Sequence, residues 1–194
     1  MGFDLSGLAP ENTSNLVKPS INWNEAANDE ERSQYFDELN KFQEKVPGDY
    51  FRANVWSWRP LWTYVCLVCD NILTDGDEHS GSYNDGHIIS KTKSKRIASR
   101  LRRLYKSGQL DKYLDDRDKY LNELDPEECE LCEGTGWRDD AIGKKAREAD
   151  PLYSCNGCKG KGEKKNWQCS YYIDKEFVKE FAIFCEKSGG FEIW

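Results

Sequence analysis

Cys129-Glu-Leu-Cys132-Glu-Gly134-Thr-Gly136 recurs further along the chain as Cys155-Asn-Gly-Cys158-Lys-Gly160-Lys-Gly162. Each copy spaces two thiols so that both sulfurs reach one tetrahedral ion. The glycines that follow let the backbone turn back and aim N–H groups at sulfur. Together they predict one four-cysteine site, Cys129, Cys132, Cys155 and Cys158, holding one structural Zn2+. Residues 133–154 separate the pairs, slightly more than is usual for such sites, so a hairpin-like excursion is expected and not a compact ribbon. This stretch has only Leu131, Trp137, Ile142, Leu152, Tyr153 and Trp167 as large apolar groups, too few to build a core in about forty residues. A metal would replace that core, since structural zinc supplies about 10 to 16 kcal/mol of apparent folding free energy in finger peptides. The competing readings are two disulfides or four free structural thiols. The first residues carry no secretory h-region, which favours reduced cysteines.

Beyond the second copy, Trp167 to Ile173 alternates like a strand, and Asp174 is placed to N-cap a helix over Lys175 to Lys187. Phe177, Val178, Phe181, Phe184 and Cys185 form its apolar face. Ser188-Gly189-Gly190 stops it, and Phe191-Glu-Ile-Trp194 reads as a strand that must be docked. Ahead of the first copy, Gly2 to Leu8 reads as a short strand and Ala9 to Asn28 as a polar, Pro-broken loop. Tyr35, Leu39, Phe42 and Val46 mark an amphipathic helix ended by Pro47-Gly48. Phe51 to Trp58 reads as extended. Pro60 then opens a helix over Leu61 to Leu73, apolar nearly all round and therefore central to the core. A basic helix over Lys91 to Lys106 and an acidic one over Leu110 to Leu124 follow.

These elements predict an α+β fold: a mostly helical single domain, residues 1–125 together with 169–194, with a small sheet formed by terminal strands. Residues 126–168 are inserted in it as a zinc-binding hairpin module. The 194 residues include seven Trp, ten Tyr and eight Phe, an inventory large enough for a core despite the high charge. No apolar run approaches the roughly twenty residues of a membrane span. A soluble cytoplasmic protein with no membrane partner is expected.

Four further groups carry possible chemistry. Cys66 and Cys69 repeat the Cys-x-x-Cys spacing but lack the glycines, so they read as buried small hydrophobes. Cys169 and Cys185 read as core residues, and a second four-sulfur site from 66, 69, 169 and 185 is the alternative. Thr74 to His87 gathers Asp75, Asp77, Glu78, His79, Asp85 and His87, an acid–base constellation on paper, although Asn84-Asp85-Gly86 is also a turn in its own right. Arg52, Asn54, Trp56, Trp58 and Arg59 can line a cleft that stacks a base and pairs a phosphate, or can be core Trp and structural Arg. Lys91, Lys93, Lys95, Arg96, Arg100, Arg102, Arg103 and Lys106 surround the stripe Ile97, Leu101, Leu104 and Tyr105. Those cations either track a phosphate backbone or face acidic neighbours: Asp111, Asp115, Asp116, Asp118, Glu123 and the acidic first fifty residues. The net charge of −7 weighs mildly against a dedicated nucleic-acid binder.

At residues 129–136 and 155–162 the chain resembles the zinc region of DnaJ-type chaperones, whose repeats read Cys-x-x-Cys-x-Gly-x-Gly. That family has four repeats and two zinc ions; two repeats imply one site. No His-Pro-Asp tripeptide occurs, so co-chaperone activity is not implied. Single-site versions of this finger, the bacterial anti-TRAP protein among them, are protein-binding modules. A second resemblance rests on Gly2-Phe-Asp-Leu, Phe51-Arg-Ala-Asn-Val-Trp-Ser-Trp-Arg-Pro-Leu-Trp62, Tyr83-Asn-Asp-Gly86 and Ser188-Gly-Gly-Phe-Glu-Ile193. These look like a family of small uncharacterised proteins of bacteriophages and their hosts, which implies origin and not mechanism.

The expectation is a zinc-stabilised, phage-encoded accessory protein, more readily a binder than an enzyme, acting in the host cytoplasm. Its partner would be a protein first, met by a finger with Lys159, Lys161, Lys164 and Lys165 outward. Nucleic acid comes second, through the 91–106 helix and notably Lys95, Arg96, Arg100 and Arg103. The alternative is a nucleotide or small-molecule binding protein or enzyme that uses Arg52, Trp56 and Arg59 or the Asp85/His87 loop.

Overall fold

The computed structural model describes residues 2–13, 15–23, 28–150 and 152–194. In chain order its elements are β1 (Gly2–Gly7), α1 (Asp29–Lys45), β2 (Tyr50–Asn54), α2 (Val55–Val68), α3 (Asp75–Ser80), β3 (His87–Ile89), α4 (Lys91–Lys106) and α5 (Gln109–Glu123). There follow β4 (Glu127–Glu128), α6 (Ala141–Ala149), β5 (Glu163–Lys164), α7 (Lys175–Lys187) and β6 (Phe191–Ile193). The expected loop Ala9 to Asn28 carries neither helix nor strand in its described part; Ser14 and 24–27 lie outside the described residues. The chain divides into two compact units, 1–114 with 172–194, and 115–171.

In the first unit the strands form an antiparallel sheet in the order β2-β1-β6-β3. The register sets Phe3 against Ala53, and Leu5 against both Phe51 and Ile193. Phe191 faces Ile89 in the same way. All of these side chains are buried, whereas Asp4 pairs with Arg52 on the other, wetter side. The period-2 alternation of a half-buried sheet thus places one whole face in the core. Against that face pack Leu61 and Val65 of α2, Ile97 and Leu101 of α4, and Phe181 and Phe184 of α7. Phe3, Trp58 and Trp62 stack in a row with ring centroids 5.3 Å apart at each step. Each indole N–H has a carbonyl partner, Gly81 for Trp58 at 2.9 Å and Glu78 for Trp62 at 3.0 Å, so burying them leaves no donor unpaired.

Two expected extended segments are borne out only in part or not at all: Phe51 to Asn54 lies in β2, but Val55 to Trp58 and Trp167 to Ser170 are helical. Asn54 caps the amide of Ser57 at 3.0 Å, so α2 starts at Val55 and Pro60 stands inside it. Proline supplies no N–H to the carbonyl four residues back. That carbonyl, on Trp56, accepts instead from the amide of Tyr172 at 3.1 Å, and the outside donor makes an internal proline tolerable. Trp167–Ser170 is a short 3-10 turn and not a strand, because the side chain of Asn166 and i→i+3 bonds already satisfy its amides. No described helix is long and apolar enough to cross a membrane.

Candidate metal centre

The second unit is built on two loops related by an offset of 26 residues. The amide of Cys129 donates to the Gly162 carbonyl, and that of Cys155 to the Gly136 carbonyl, each at 2.8 Å. Each repeat thus closes on the glycine of the other. Gly134, Gly136, Gly160 and Gly162 all hold φ between +76° and +80°, and the residues after the second cysteines, Glu133 and Lys159, are left-handed too. The close approach is severe: a Cβ on Gly162 would stand 2.2 Å from the Gly134 carbonyl oxygen, and one on Gly136 2.5 Å from that of Gly160. Glycine is therefore required sterically as well as conformationally. β4 and β5 pair antiparallel at the base of the loops.

This folding converges four sulfurs. Cys129 Sγ lies 3.8 Å from Cys155 Sγ, and Cys132 Sγ lies 3.7 Å from Cys158 Sγ. All four sulfurs fall within 4.8 Å of one another. A disulfide would need about 2.05 Å, and all eight cysteines are free. The quartet is buried, and it forms the second unit's own hydrophobic cluster by itself. Leu131, Trp137, Ile142, Leu152 and Trp167 all remain exposed, Leu152 at 84%. Among the described residues this is the one group of His, Cys, Asp or Glu able to hold a metal ion.

Burial, the largest influence on Cys132, helps push its thiol up to about 12, against the opposing N–H of Gly136. At Cys158 burial also raises, but the Gly162 amide, 3.3 Å from Sγ, and the neighbouring thiols bring it down to about 7. Four thiolates this close repel one another, so full ionisation requires a cation among them.

The excursion between the repeats contains α6. Asp140 caps it through the Gly143 amide at 2.8 Å. Arg138, 8% exposed, ion-pairs with Asp140 and donates to the side chain of Asn156 at 3.0 Å. It ties the helix start to the second repeat, a role with no signature in the sequence. Lys159, Lys161 and Lys165 are exposed and Lys164 is half-buried.

The remaining candidates separate. Trp58 is fully buried. Asn54 caps α2 and donates to the Tyr172 hydroxyl at 2.8 Å, Arg52 faces Asp4 at 3.7 Å, and Trp56 and Arg59 are exposed on α2. The cleft expected from their alternation belongs to a strand; on a helix neighbouring Trp residues diverge. A pocket of about 270 Å³ does open beside Arg59, lined also by Trp58, Trp62, Thr63, Ser82 and Tyr83. Cys66, Cys69 and Cys185 lie in the first unit and Cys169 in the second, where Cys169 bonds the Leu121 carbonyl; no second sulfur site forms among the described residues. Burial is the main cause pushing Cys66 up to about 12 and Cys69 to about 11, as expected of inert thiols.

His87 does not act with Asp85, which stays exposed in its turn. Its Nε2 lies 3.1 Å from the buried Asp77 carboxylate, which Lys93 also pairs and the hydroxyl of Thr74 bonds at 2.7 Å. Burial raises the Asp77 pKa, yet the hydrogen bonds from Lys93, Thr74 and His87 outweigh it and hold the carboxyl below the usual range. Thr74-x-x-Asp77 is a capping box, and that local pattern was the available signal.

Comparison with protein-family models, with curated proteins and with solved structures returns no match. The reading of the centre therefore rests on its own geometry.

Proposed function

We propose that unit 115–171 is a zinc-organised docking module for a protein partner, and that the chain is a non-enzymatic, phage-encoded accessory protein of the host cytoplasm. Zinc is favoured by the donor set: four thiolates suit a soft tetrahedral ion and reject Mg2+ or Ca2+. With Zn–S bonds of about 2.3 Å, a tetrahedron has edges of about 3.8 Å, which the 3.8 and 3.7 Å separations match. Four protein ligands leave no open position for substrate, the arrangement of a structural site. Reduced thiols suit a cytoplasmic setting. The phage origin rests on the sequence resemblance alone.

The observation that carries the docking role is the exposure of Leu131, Trp137, Ile142 and Leu152 on a unit whose interior is sulfur. Such side chains are available to a protein surface at no cost to the unit's own packing. Leu131→Asp with Trp137→Lys should keep one equivalent of zinc by elemental analysis and lose the partners that the intact chain captures from host lysate. Capture of the same partners by both proteins refutes the docking role, and iron in place of zinc refutes the metal.

The pocket beside Arg59 supports a second reading, a small anionic ligand held by the guanidinium, which has no side-chain partner among the described residues. Titration with nucleotides while Trp fluorescence is followed tests it; a flat signal at millimolar ligand removes it.

A further inference from the structure

The cations of α4 do not form one class. Lys93 is spent on Asp77. Arg100 donates to the Val68 carbonyl and the Asn71 side chain and so caps the C-terminal end of α2, while Arg96 donates at 3.1 Å to the Asn71 carbonyl in the turn that follows. Arg102 is taken bidentately by Glu186 of α7. Lys91, Lys95, Arg103 and Lys106 have no side-chain partner among the described residues. At about 100° per residue these four fall within one arc of about 120°, along a face about 22 Å long. Arg96 and Arg100 lie outside that arc, as does the buried stripe Ser94, Ile97, Ala98, Leu101 and Leu104.

On the free arc a groove of about 700 Å³ is lined by Lys95, Ser99, Arg102, Arg103 and Lys106. Its one acid, Glu186, has both oxygens occupied by Arg102. Arg102 and Lys106 also border a second cavity of about 290 Å³ between α4 and α7, whose other walls include Leu101, Tyr105, Val178 and Ala182. A row of unpaired cations thus runs beside an apolar slot with an aromatic wall.

We propose that this face binds single-stranded nucleic acid, with phosphates along Lys91, Lys95, Arg103 and Lys106 and an unstacked base in the α4–α7 slot. The cations supply sequence-independent attraction through counterion release. The slot decides for a single strand, because a duplex keeps the faces of its bases stacked and hidden whereas a single strand offers them. This inference uses neither the metal centre nor a protein partner.

The test is fluorescence anisotropy of a labelled oligothymidylate with the metal-loaded full chain. Four phosphate contacts predict that log affinity falls with log salt at a slope of about −3. Lys95→Glu, Arg103→Glu and Lys106→Glu combined should weaken binding at least about tenfold and reduce the slope by about 2, with circular dichroism and metal content unchanged. Lys144→Glu with Lys145→Glu, on α6, should leave binding as it was. The same affinity for a duplex, or for inorganic polyphosphate, would overturn the single-strand assignment. Absent binding at low salt, or equal losses in the two charge-reversed proteins, would overturn the site.

Discussion

Gly162 and Gly160 share a sequence context and a left-handed backbone, yet they face different neighbours. At Gly162 a methyl meets the Gly134 carbonyl at 2.2 Å; at Gly160 it meets only the Ser154 side chain, at 3.1 and 3.2 Å. Gly160→Ala should therefore lose about 1 to 2 kcal/mol from backbone strain alone. Gly162→Ala should lose more and release metal faster to a chromogenic chelator; equal effects would contradict the interlocked geometry. Asp77 offers a pH-dependent counterpart. Its carboxyl is held low by Lys93, Thr74 and His87 against the opposing effect of burial, so ionisation favours the folded chain. That contribution is complete above the ordinary value of 3.8 and is lost progressively as pH falls below it. Asp77→Asn should cost about 2 kcal/mol at neutral pH and flatten the acid limb of a urea-midpoint series. The Thr74 box was readable locally; the arrival of Lys93 from α4 was not.

At the scale of elements, α4 shows how one basic helix is divided among tasks. Its first turn contains no acid and its partner α2 has no basic residue in its last turn. Arg100 supplies the missing positive charge at the Val68 carbonyl, where the outward-pointing carbonyls of a helix end favour a cation, and Arg96 holds the turn that follows through the Asn71 carbonyl. Arg100→Ala should lower the melting temperature by a few degrees, for a loss of about 1 to 2 kcal/mol, and leave oligothymidylate affinity nearly unchanged. Arg103→Ala should do the reverse. Of the two readings of its cations, neutralisation by internal acids accounts for Lys93 and Arg102, which among the described residues pair with Asp77 and Glu186, while Asp111 pairs with Lys175. Periodicity located the helix and its buried stripe, but partners 16 and 84 residues away leave no trace in a helical wheel.

Across the whole molecule, the two units hold their folds by different means. The first has an aromatic and aliphatic core around the sheet; the second has four sulfurs. Removing metal should leave the first unit's cooperative melt in place and unfold the second. Limited proteolysis after chelation should then cut at Lys144 and Lys145 and within the repeats, and added zinc should restore protection. Resistance of residues 115–171 in the metal-free chain would show that sulfur packing alone suffices.

The sequence by itself determined the sulfur quartet, the glycine turns and the helices α4 and α7, because each is specified by spacing within a few residues: ligand reach, positive φ, a 3.6-residue stripe, an Asp174 cap. It also indicated a docked final strand, since Phe191 and Ile193 have nowhere else to be buried. Tertiary structure alone made Pro60 tolerable inside α2, through an amide contributed by Tyr172. It alone buried the Trp58 ring in the core and sorted the cations of α4 into capping and free sets. Hydrogen-bond partners and ion pairs are satisfied in space, by residues that the chain brings together only once the sheet has closed.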